Sequence, residues 1–325
     1  MTWRELLAEA TERLKGAGIA EYESDGWILF SEVFNMSRAR YFLCRDQEID
    51  LESAREKGAN GNDAEQFHEM ICRRCEHIPL QQITGHQEFM GLDFQVNEHV
   101  LVPRQDTEVL VETVLGELKE VAAAVHEESC AGSEKGTISR GEQSCGEISA
   151  KETEDNRQLQ ILDMCAGSGC IGISLERLAE VSVNVLGADI SDEAILVAKK
   201  NAEQLGCEHY RIVKSDLFMQ IEGSFDVIVS NPPYIPSAVI ETLDDEVKLH
   251  EPRLALDGEA DGLAFYRKIS GEAAKRLCHG GRIYYEIGYD QAAEVSDILA
   301  VHGFTDIRVI KDLAGLDRVV AAMAK

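Results

Sequence analysis

The chain has 325 residues, longer than one average domain, which predicts two domains, one large and one small. Hydrophobic residues make up 44% and aromatic residues 6%, enough for packed cores, while no apolar run is long enough to span a bilayer. Against 32 Lys and Arg stand 59 Asp and Glu, a net charge of -27 that repels phosphate backbones and, with no basic stripe to offset it, argues against a nucleic-acid partner.

The first segment, MTWRELLAEATERLKGAGIA, has acidic residues inside its apolar pattern, so it is expected to be an amphipathic helix rather than a signal peptide, in a cytoplasmic protein. The nine Cys are odd in number and scattered, which predicts reduced thiols rather than a disulfide framework. Cys72-Arg73-Arg74-Cys75 is the one CxxC, with His77 close by, but no second pair completes a four-ligand zinc site. No metal is expected, and the two Cys are assigned to a helix.

Residues 1–80 predict a small helical domain. Trp3, Leu6, Leu7, Ala10 and Leu14 fall at helix spacing, as do Trp27, Phe30, Val33 and Phe34, with breaks at Gly16, Gly18 and the GANGND stretch of residues 58–63. Residues 81–104 form a connector, in which HQEFMGLDFQVNEHVLV (86–102) alternates about Gly91-Leu92-Asp93 like a β-hairpin. Pro103-Arg104-Gln105-Asp106-Thr107-Glu108 opens a helix, with Asp106 or Thr107 as N-cap. The stretch 117–160 is rich in Glu, Ser and Gly and poor in large apolar residues, which predicts a mobile acidic insertion.

Strand-like and helical segments then alternate. The strands are Leu159–Met164, Val183–Ala188, Arg211–Lys214, Val227–Ser230, Arg282–Ile287, Ile307–Ile310 and Arg318–Ala322; the main helices follow Gly169, cover Asp192–Leu205 and Asp261–Leu277, and lie near Gln291–His302. This is the pattern of an α/β, doubly wound parallel sheet over residues 105–325. The last two strands are joined too briefly for a crossover helix, so they should pair antiparallel.

Ligands of such sheets bind beyond the carboxyl ends of the strands, where three features gather. Asp163-Met164-Cys165-Ala166-Gly167-Ser168-Gly169 lets backbone approach a ligand closely. Asp189 can accept both hydroxyls of a ribose, and Asp216 can meet the exocyclic amine of an adenine. Residues 167–172 also fit GxGxxG, with Asp189 about 20 residues on, as in a dinucleotide site. Asp163 suits a cationic amino-acid ligand better than a pyrophosphate, and the antiparallel last strand departs from the usual dinucleotide order. Both favour S-adenosylmethionine as cofactor over a nicotinamide. The plainer alternative is that strand-end Asp residues only cap the turns that follow.

The strand Phe225–Ser230 ends in Asn231-Pro232-Pro233-Tyr234, and two prolines cannot continue a central strand. The lone pair of a planar amide or amine nitrogen is delocalised, so such a group reacts best when its hydrogens are held and its lone pair aimed. The Asn231 side-chain oxygen and the Pro232 carbonyl can accept those hydrogens, and Tyr234 can stack on the flat group. A stiff turn with an Asn cap is the bland reading of the same four residues.

Asn-Pro-Pro-Tyr after a Gly-rich cofactor loop resembles the N-methyltransferases of planar amides and exocyclic amines. LQQITGHQEFMGLDFQVNEHVLVPRQDTEVLVE (80–112), EPRLALDGEADGL (251–263) and DLAGLDRVV (312–320) narrow the resemblance to the protein-(glutamine-N5) methyltransferases of peptide chain release factors, PrmC/HemK. It covers residues 1–116, more closely after 80, and about 160–325. It implies a class I methyltransferase domain, an N-terminal helical substrate-engaging domain and a β-hairpin connector. The implied substrate is the Gln of the Gly-Gly-Gln motif in class I release factors, held by Asn231, Pro232, Pro233 and Tyr234. Cys165, Ala166, Gly167, Ser168, Gly169, Asp189, Leu217 and Asn231 occupy the implied cofactor positions. A monomer without membrane or nucleic-acid partner is expected. Three residues depart from the family pattern: Cys165-Ala166 replaces Gly-Thr, Leu217 replaces a common aromatic, and Gln105 stands where Pro is commoner.

Two other classes fit parts of the pattern. A nucleic-acid amine methyltransferase, acting on adenine N6, cytosine N4 or guanine N2, shares the Asn-Pro-Pro-aromatic logic but is opposed by the charge. A non-catalytic adenosine-binding regulator is opposed by the intact Asn231 clamp.

Overall fold

The computed structural model describes residues 1–49, 63–132 and 158–325. They form two compact units: Met1–Gln87, Gln95–Val102 and Glu241–Arg253 make one, and Glu88–Phe94, Pro103–Ile240 and Leu254–Lys325 the other.

The first unit is helical. It contains α1 (Trp3–Gly16), α2 (Tyr22–Phe34), α3 (Arg38–Cys44), α4 (Asp63–Cys75) and α5 (Leu80–Thr84), with a short helix at Asp245–His250. Thr2 and Glu5 cap α1 reciprocally, Thr2 N donating to Glu5 Oε2 at 2.8 Å and Glu5 N to Thr2 Oγ1 at 3.2 Å. The helical stripes converge as their spacing predicts: Leu14, Leu29, Phe30, Phe67 and Ile71 are buried, and the Trp3 ring meets Phe30 and Phe34 edge-on. Asp63 opens α4, while residues 58–62 of the expected glycine break lie outside the described residues. Cys72 and Cys75 sit on α4, and Arg13 Nη2 donates to Cys72 Sγ at 3.1 Å. Arg74 is buried against Asp25 at 2.7 Å and also holds Glu246 at 2.8 Å, which ties the segment Glu241–Arg253 to α4. Burial raises the Asp25 carboxyl above its ordinary value despite the Arg74 guanidinium.

The hairpin is shorter than the alternation suggests. β1 (His86–Phe89) and β2 (Leu92–Gln95) are joined by Met90 and Gly91, both at positive φ (54 and 72°), so the turn precedes Leu92 instead of centring on it. Beyond Gln95 the Asn97 side chain accepts the amide of His99 at 3.0 Å, and that local turn replaces the expected strand continuation.

The second unit holds α6 (Gln105–Gly132), β3 (Leu159–Met164), α7 (Cys170–Leu178), β4 (Val183–Asp189), α8 (Asp192–Gln204), β5 (Tyr210–Lys214), β6 (Phe225–Ser230), α9 (Ala264–Arg276), β7 (Leu277–Glu286), α10 (Ala292–Val301), β8 (Thr305–Lys311) and β9 (Asp317–Met323). Seven strands form one sheet in the order β5-β4-β3-β6-β7-β9-β8. The first five pair parallel, while β9 pairs antiparallel with β7 and with β8, as the short Asp312–Gly315 connection requires. One core layer lies between the sheet and α6, α7 and α8; the other lies under α9 and α10. Every residue of β6 is buried, as expected of a central strand covered on both faces. The strand order reverses between β3 and β6, which opens a crevice at their carboxyl ends. Among the described residues no helix is long and apolar enough to cross a membrane.

Two expectations about α6 are corrected. The helix begins at Gln105, so Thr107 is not the N-cap but lies in the first turn, 3% exposed. The expected loop from Glu117 is helical to Gly132, with Leu118 and Val121 in the core, and Leu159 and Gln160 belong to β3; residues 133–157 lie outside the described residues. Composition misled here because one ionic contact anchors the acidic turn. Glu117 accepts from Arg308 Nη1 and Nη2 at 2.9 Å and from the Tyr284 hydroxyl at 2.8 Å, and it pairs with Arg282. Burial raises the Glu117 carboxyl, but the bonds from Arg308 and Tyr284 with the Arg282 charge prevail and hold it below its ordinary value. Glu117→Ala should lower stability by about 2 kcal/mol, less than a fully buried pair because Arg308 is partly solvated. A depressed carboxyl stabilises above its unfolded value, so the gap between variant and wild type should narrow as the pH falls below the ordinary value of 4.5, as thermal melts at pH 7 and pH 3.5 will show.

Candidate active site

The strand β3 ends in a turn that only small residues can make. Cys165, Gly167 and Gly169 have φ of 63, 55 and 80°, the left-handed region. At Gly169 a Cβ would lie 2.9 Å from Ile173 Cδ1 and 3.0 Å from the Tyr210 hydroxyl, so both conformation and space demand glycine. At Gly167 a Cβ would meet nothing within 4 Å, which leaves open space over the turn.

Two carboxylates hold this turn. Asp189, at the tip of β4, accepts from Gly167 N at 2.8 Å through Oδ2 and from Ser191 N at 2.9 Å through Oδ1. Each oxygen keeps a second lone pair for a ligand. Asp163 lies beneath the turn, fully buried, with Oδ2 accepting from Gly172 N at 2.9 Å and Oδ1 without a hydrogen-bond partner among the described residues. Burial raises its carboxyl to about 7, against the Gly172 amide and with help from the Asp189 charge. Ser168 is buried and its carbonyl accepts from Asn201 Nδ2 at 2.9 Å; Ala166 N donates to Ala188 O at 3.1 Å. After β5, Asp216 is exposed, and Leu217, at φ 47°, packs on the core under α9 and α10.

The Asn231-Pro232-Pro233-Tyr234 segment leaves β6 at the neighbouring strand end. Asn231 Nδ2 donates to Thr107 Oγ1 at 3.4 Å, and among the described residues Asn231 Oδ1 has no hydrogen-bond partner. Pro232 and Pro233 are buried, and no backbone amide of the described residues donates to the Pro232 carbonyl. The Tyr234 hydroxyl donates to Glu286 Oε1 at 3.4 Å, and its carbonyl accepts from Gln291 Nε2 at 3.0 Å. Burial and the Glu286 charge push the Tyr234 phenol well above its ordinary value. The stretch around Gly258 and Gly262 supplies the other wall. A Cβ on Gly258 would lie 2.8 Å from Tyr234 Cα, and one on Gly262 would lie 2.3 Å from Tyr234 O, so glycine alone lets the two chains close.

The sequence does not mark three residues of this cluster. Thr107 has the pattern of a helix cap, Glu286 lies inside an apolar strand pattern, and Gln291 stands at the start of a helix; an acid at a strand end, the signal at Asp189, is the one that could have found Glu286.

Open space over Gly167, spare acceptor sites on Asp189, an unpaired buried Asp163 oxygen and the apolar Leu217 suit an adenosine ligand with a cationic amino-acid end. Beside it, Asn231 Oδ1 and the Pro232 carbonyl offer two acceptors to a planar NH2. Sheet order and site together define a class I S-adenosylmethionine-dependent methyltransferase.

Comparison with known proteins gives the family. Residues 5–85 match the model of the PrmC N-terminal domain, and residues 145–246 match the methyltransferase small domain. The release factor glutamine methyltransferase of Agrobacterium fabrum is 37% identical over 318 residues, covering 97% of this chain and 95% of its own. That of Clostridium acetobutylicum is 38% identical over 327 residues, covering 99% of both. A solved structure, the hMettl16 catalytic domain in complex with MAT2A 3'UTR hairpin 6, shares the fold at a TM-score of 0.50 and 15% identity over 88% of this chain and 95% of that one. The chain belongs to the release factor glutamine methyltransferase family.

Asp189→Ala removes both backbone anchors of the turn. The dissociation constant for S-adenosylmethionine, read by calorimetry, should rise at least about tenfold. An unchanged constant would place the cofactor elsewhere.

Proposed function

We propose that this protein transfers a methyl group from S-adenosylmethionine to the side-chain amide nitrogen, N5, of the Gln in the Gly-Gly-Gln motif of class I peptide chain release factors. The observation that carries the reading is the Asn231 amide, whose NH2 is tied to Thr107 while its oxygen is left for an acceptor. When bound, S-adenosylmethionine supplies an electrophilic methyl on a sulfonium; transfer forms the N–C bond, leaves the broken bond's pair on sulfur and releases one N–H proton to water.

In this reading Asn231 Oδ1 and the Pro232 carbonyl each accept one hydrogen of the glutamine NH2. Held from both sides, the nitrogen has its lone pair directed at the methyl carbon, and positive charge developing on it meets two carbonyl dipoles. Pro232 and Pro233 fix the direction of the Pro232 carbonyl, since their rings restrict the backbone on either side of it. Tyr234, fastened at its hydroxyl by Glu286 and at its carbonyl by Gln291, offers a ring face to the flat amide. Residues 165–169, Asp189, Asp216, Leu217 and Asn231 form the cofactor side, Asp163 holds the turn from below, and the small side chains of Cys165 and Ala166 preserve the room that the family's Gly-Thr gives. Residues 1–80 engage the substrate. The partner is a release factor rather than nucleic acid or membrane, and the enzyme works as a cytoplasmic monomer.

The test supplies labelled S-adenosylmethionine with an unmodified class I release factor and, separately, total nucleic acid, and maps the label by peptide mass spectrometry. Label on the Gly-Gly-Gln glutamine is the expected result; label in nucleic acid alone would overturn the substrate. Asn231→Ala should reduce transfer at least about 100-fold while cofactor affinity stays within about threefold, because the clamp acts on the acceptor.

A further inference from the structure

We propose that Thr107 and Glu286 are positioning residues that set which way round the Asn231 amide faces, turning Oδ1 rather than Nδ2 toward the acceptor. This rests on the clamp reading above and adds two residues that touch neither cofactor nor substrate in it.

An amide side chain has two nearly isosteric ends, one donating and one accepting. A clamp for an NH2 works only with the oxygen outward; with the nitrogen outward, N–H faces N–H. Something in the protein must therefore distinguish the ends. Asn231 Nδ2 meets Thr107 Oγ1 at 3.4 Å, but a hydroxyl can accept or donate and does not by itself choose. The choice passes to whatever takes the Thr107 proton. Glu286, at the carboxyl end of β7, is 2% exposed; the Tyr234 hydroxyl donates to its Oε1 at 3.4 Å, and among the described residues its Oε2 has no hydrogen-bond partner. The Thr107 hydroxyl already lies close enough to favour the charged form of Glu286. A carboxylate only accepts, so while Glu286 is ionised the Thr107 proton turns to it and the Thr107 lone pairs face Asn231. The NH2 end of Asn231 is then the end that fits. A protonated Glu286 can itself donate to Thr107, which frees the Thr107 hydrogen for Asn231 and allows the amide to turn over.

The surroundings put this choice in the working pH range. Burial raises the Glu286 carboxyl to about 7, and the Thr107 and Tyr234 hydroxyls and the Arg318 charge oppose it. Arg318, on β9, is itself shared between Asp106 of α6 at 2.9 Å and Asp312 at 3.0 Å, and Asp106 raises Glu286 further. Tyr266 of α9 donates its hydroxyl to the Glu286 backbone carbonyl at 2.8 Å, and the Cys170 thiol of α7 also feels the Glu286 charge. Burial pushes the Tyr234, Tyr266 and Cys170 groups up, so they stay neutral between pH 6 and 8, and Glu286 is the one member of this group that titrates there.

The experiment measures kcat for methyl transfer to a release factor between pH 6 and 8.5, using the full chain. Wild type should gain rate as the pH rises through about 7, since the active form carries the ionised Glu286. Thr107→Val should lower kcat about 10- to 100-fold, with the dissociation constant for S-adenosylmethionine and the KM for release factor within about twofold. Thr107→Ser, which restores the hydroxyl, should recover kcat to within about threefold of wild type. Glu286→Gln should flatten the acid limb of the profile, leaving only the part that Asp163, also raised to about 7, supplies. A Thr107→Val enzyme at wild-type rate, a Thr107→Ser enzyme as slow as Thr107→Val, or a Glu286→Gln profile with the same shape as wild type each overturns the proposal, as does a Thr107→Val loss confined to cofactor affinity. Should Glu286→Gln fail to fold, the Val and Ser pair decides the matter alone. Wild-type transfer to the Gly-Gly-Gln glutamine is the internal control. Its absence defeats the functional reading itself; its presence beside an unimpaired Thr107→Val defeats only this inference.

Discussion

The Tyr210 ring, driven into the second unit, sets the terms for the turn that follows β3 and for the elements beside it. A Cβ on Gly187 would lie 2.5 Å from the Tyr210 hydroxyl, one on Gly172 2.8 Å from its Cε2, and one on Gly169 3.0 Å from the hydroxyl. Three glycines from one strand, one turn and one helix thus make room for a single buried side chain. With the ring in place, α7 settles close enough for its Gly172 amide to reach Asp163, and the turn comes within reach of Asp189. The glycines are therefore of two kinds. Gly167 is required by its φ alone, since a Cβ there would meet nothing within 4 Å; Gly172 and Gly187 are required by what lies below.

The same crevice floor collects carboxyl groups out of water. Asp163 and Glu286 are both fully buried, both raised to about 7 and both left with one oxygen unpaired. Burial of an acid is costly unless it is hydrogen-bonded or becomes neutral, so strand-end acids of this sort mark places where the fold tolerates instability for the sake of the site. Asp189, half-buried with both oxygens bonded to backbone amides, is the contrast: it holds the turn without such a cost.

On the acceptor side, rigidity comes from convergence. Asn231 and Tyr234 leave β6 at the ends of two prolines, and four separate segments reach them: Thr107 from α6, Glu286 from β7, Gln291 ahead of α10 and the glycines at 258 and 262. An irregular segment outside any ladder keeps one conformation only when its surroundings specify it many times over. Gly258 and Gly262 on one side and the start of α6 on the other, distant in sequence, meet at this strand end.

Hydrophobic period, glycine placement and the strand-ending Asn-Pro-Pro-Tyr were legible in the amino-acid order, and from them came the helical stripes of α1 and α2, the seven strands, the antiparallel close of the sheet and the glycine turn after β3. These are local properties: apolar spacing follows the repeat of each element, and a proline or a positive φ acts on its own residue. Only the tertiary structure decided the rest. Thr107 reads as a cap because its hydroxyl partner is more than a hundred positions away, and Glu286 reads as strand interior because a run of apolar residues does not say where its ladder stops. The acidic turn at Glu117 reads as loop because the Arg282 and Arg308 that neutralise it lie in strands far along the chain. Charge and hydrogen-bond partners are chosen by proximity in space, which the order of residues encodes only through the completed fold.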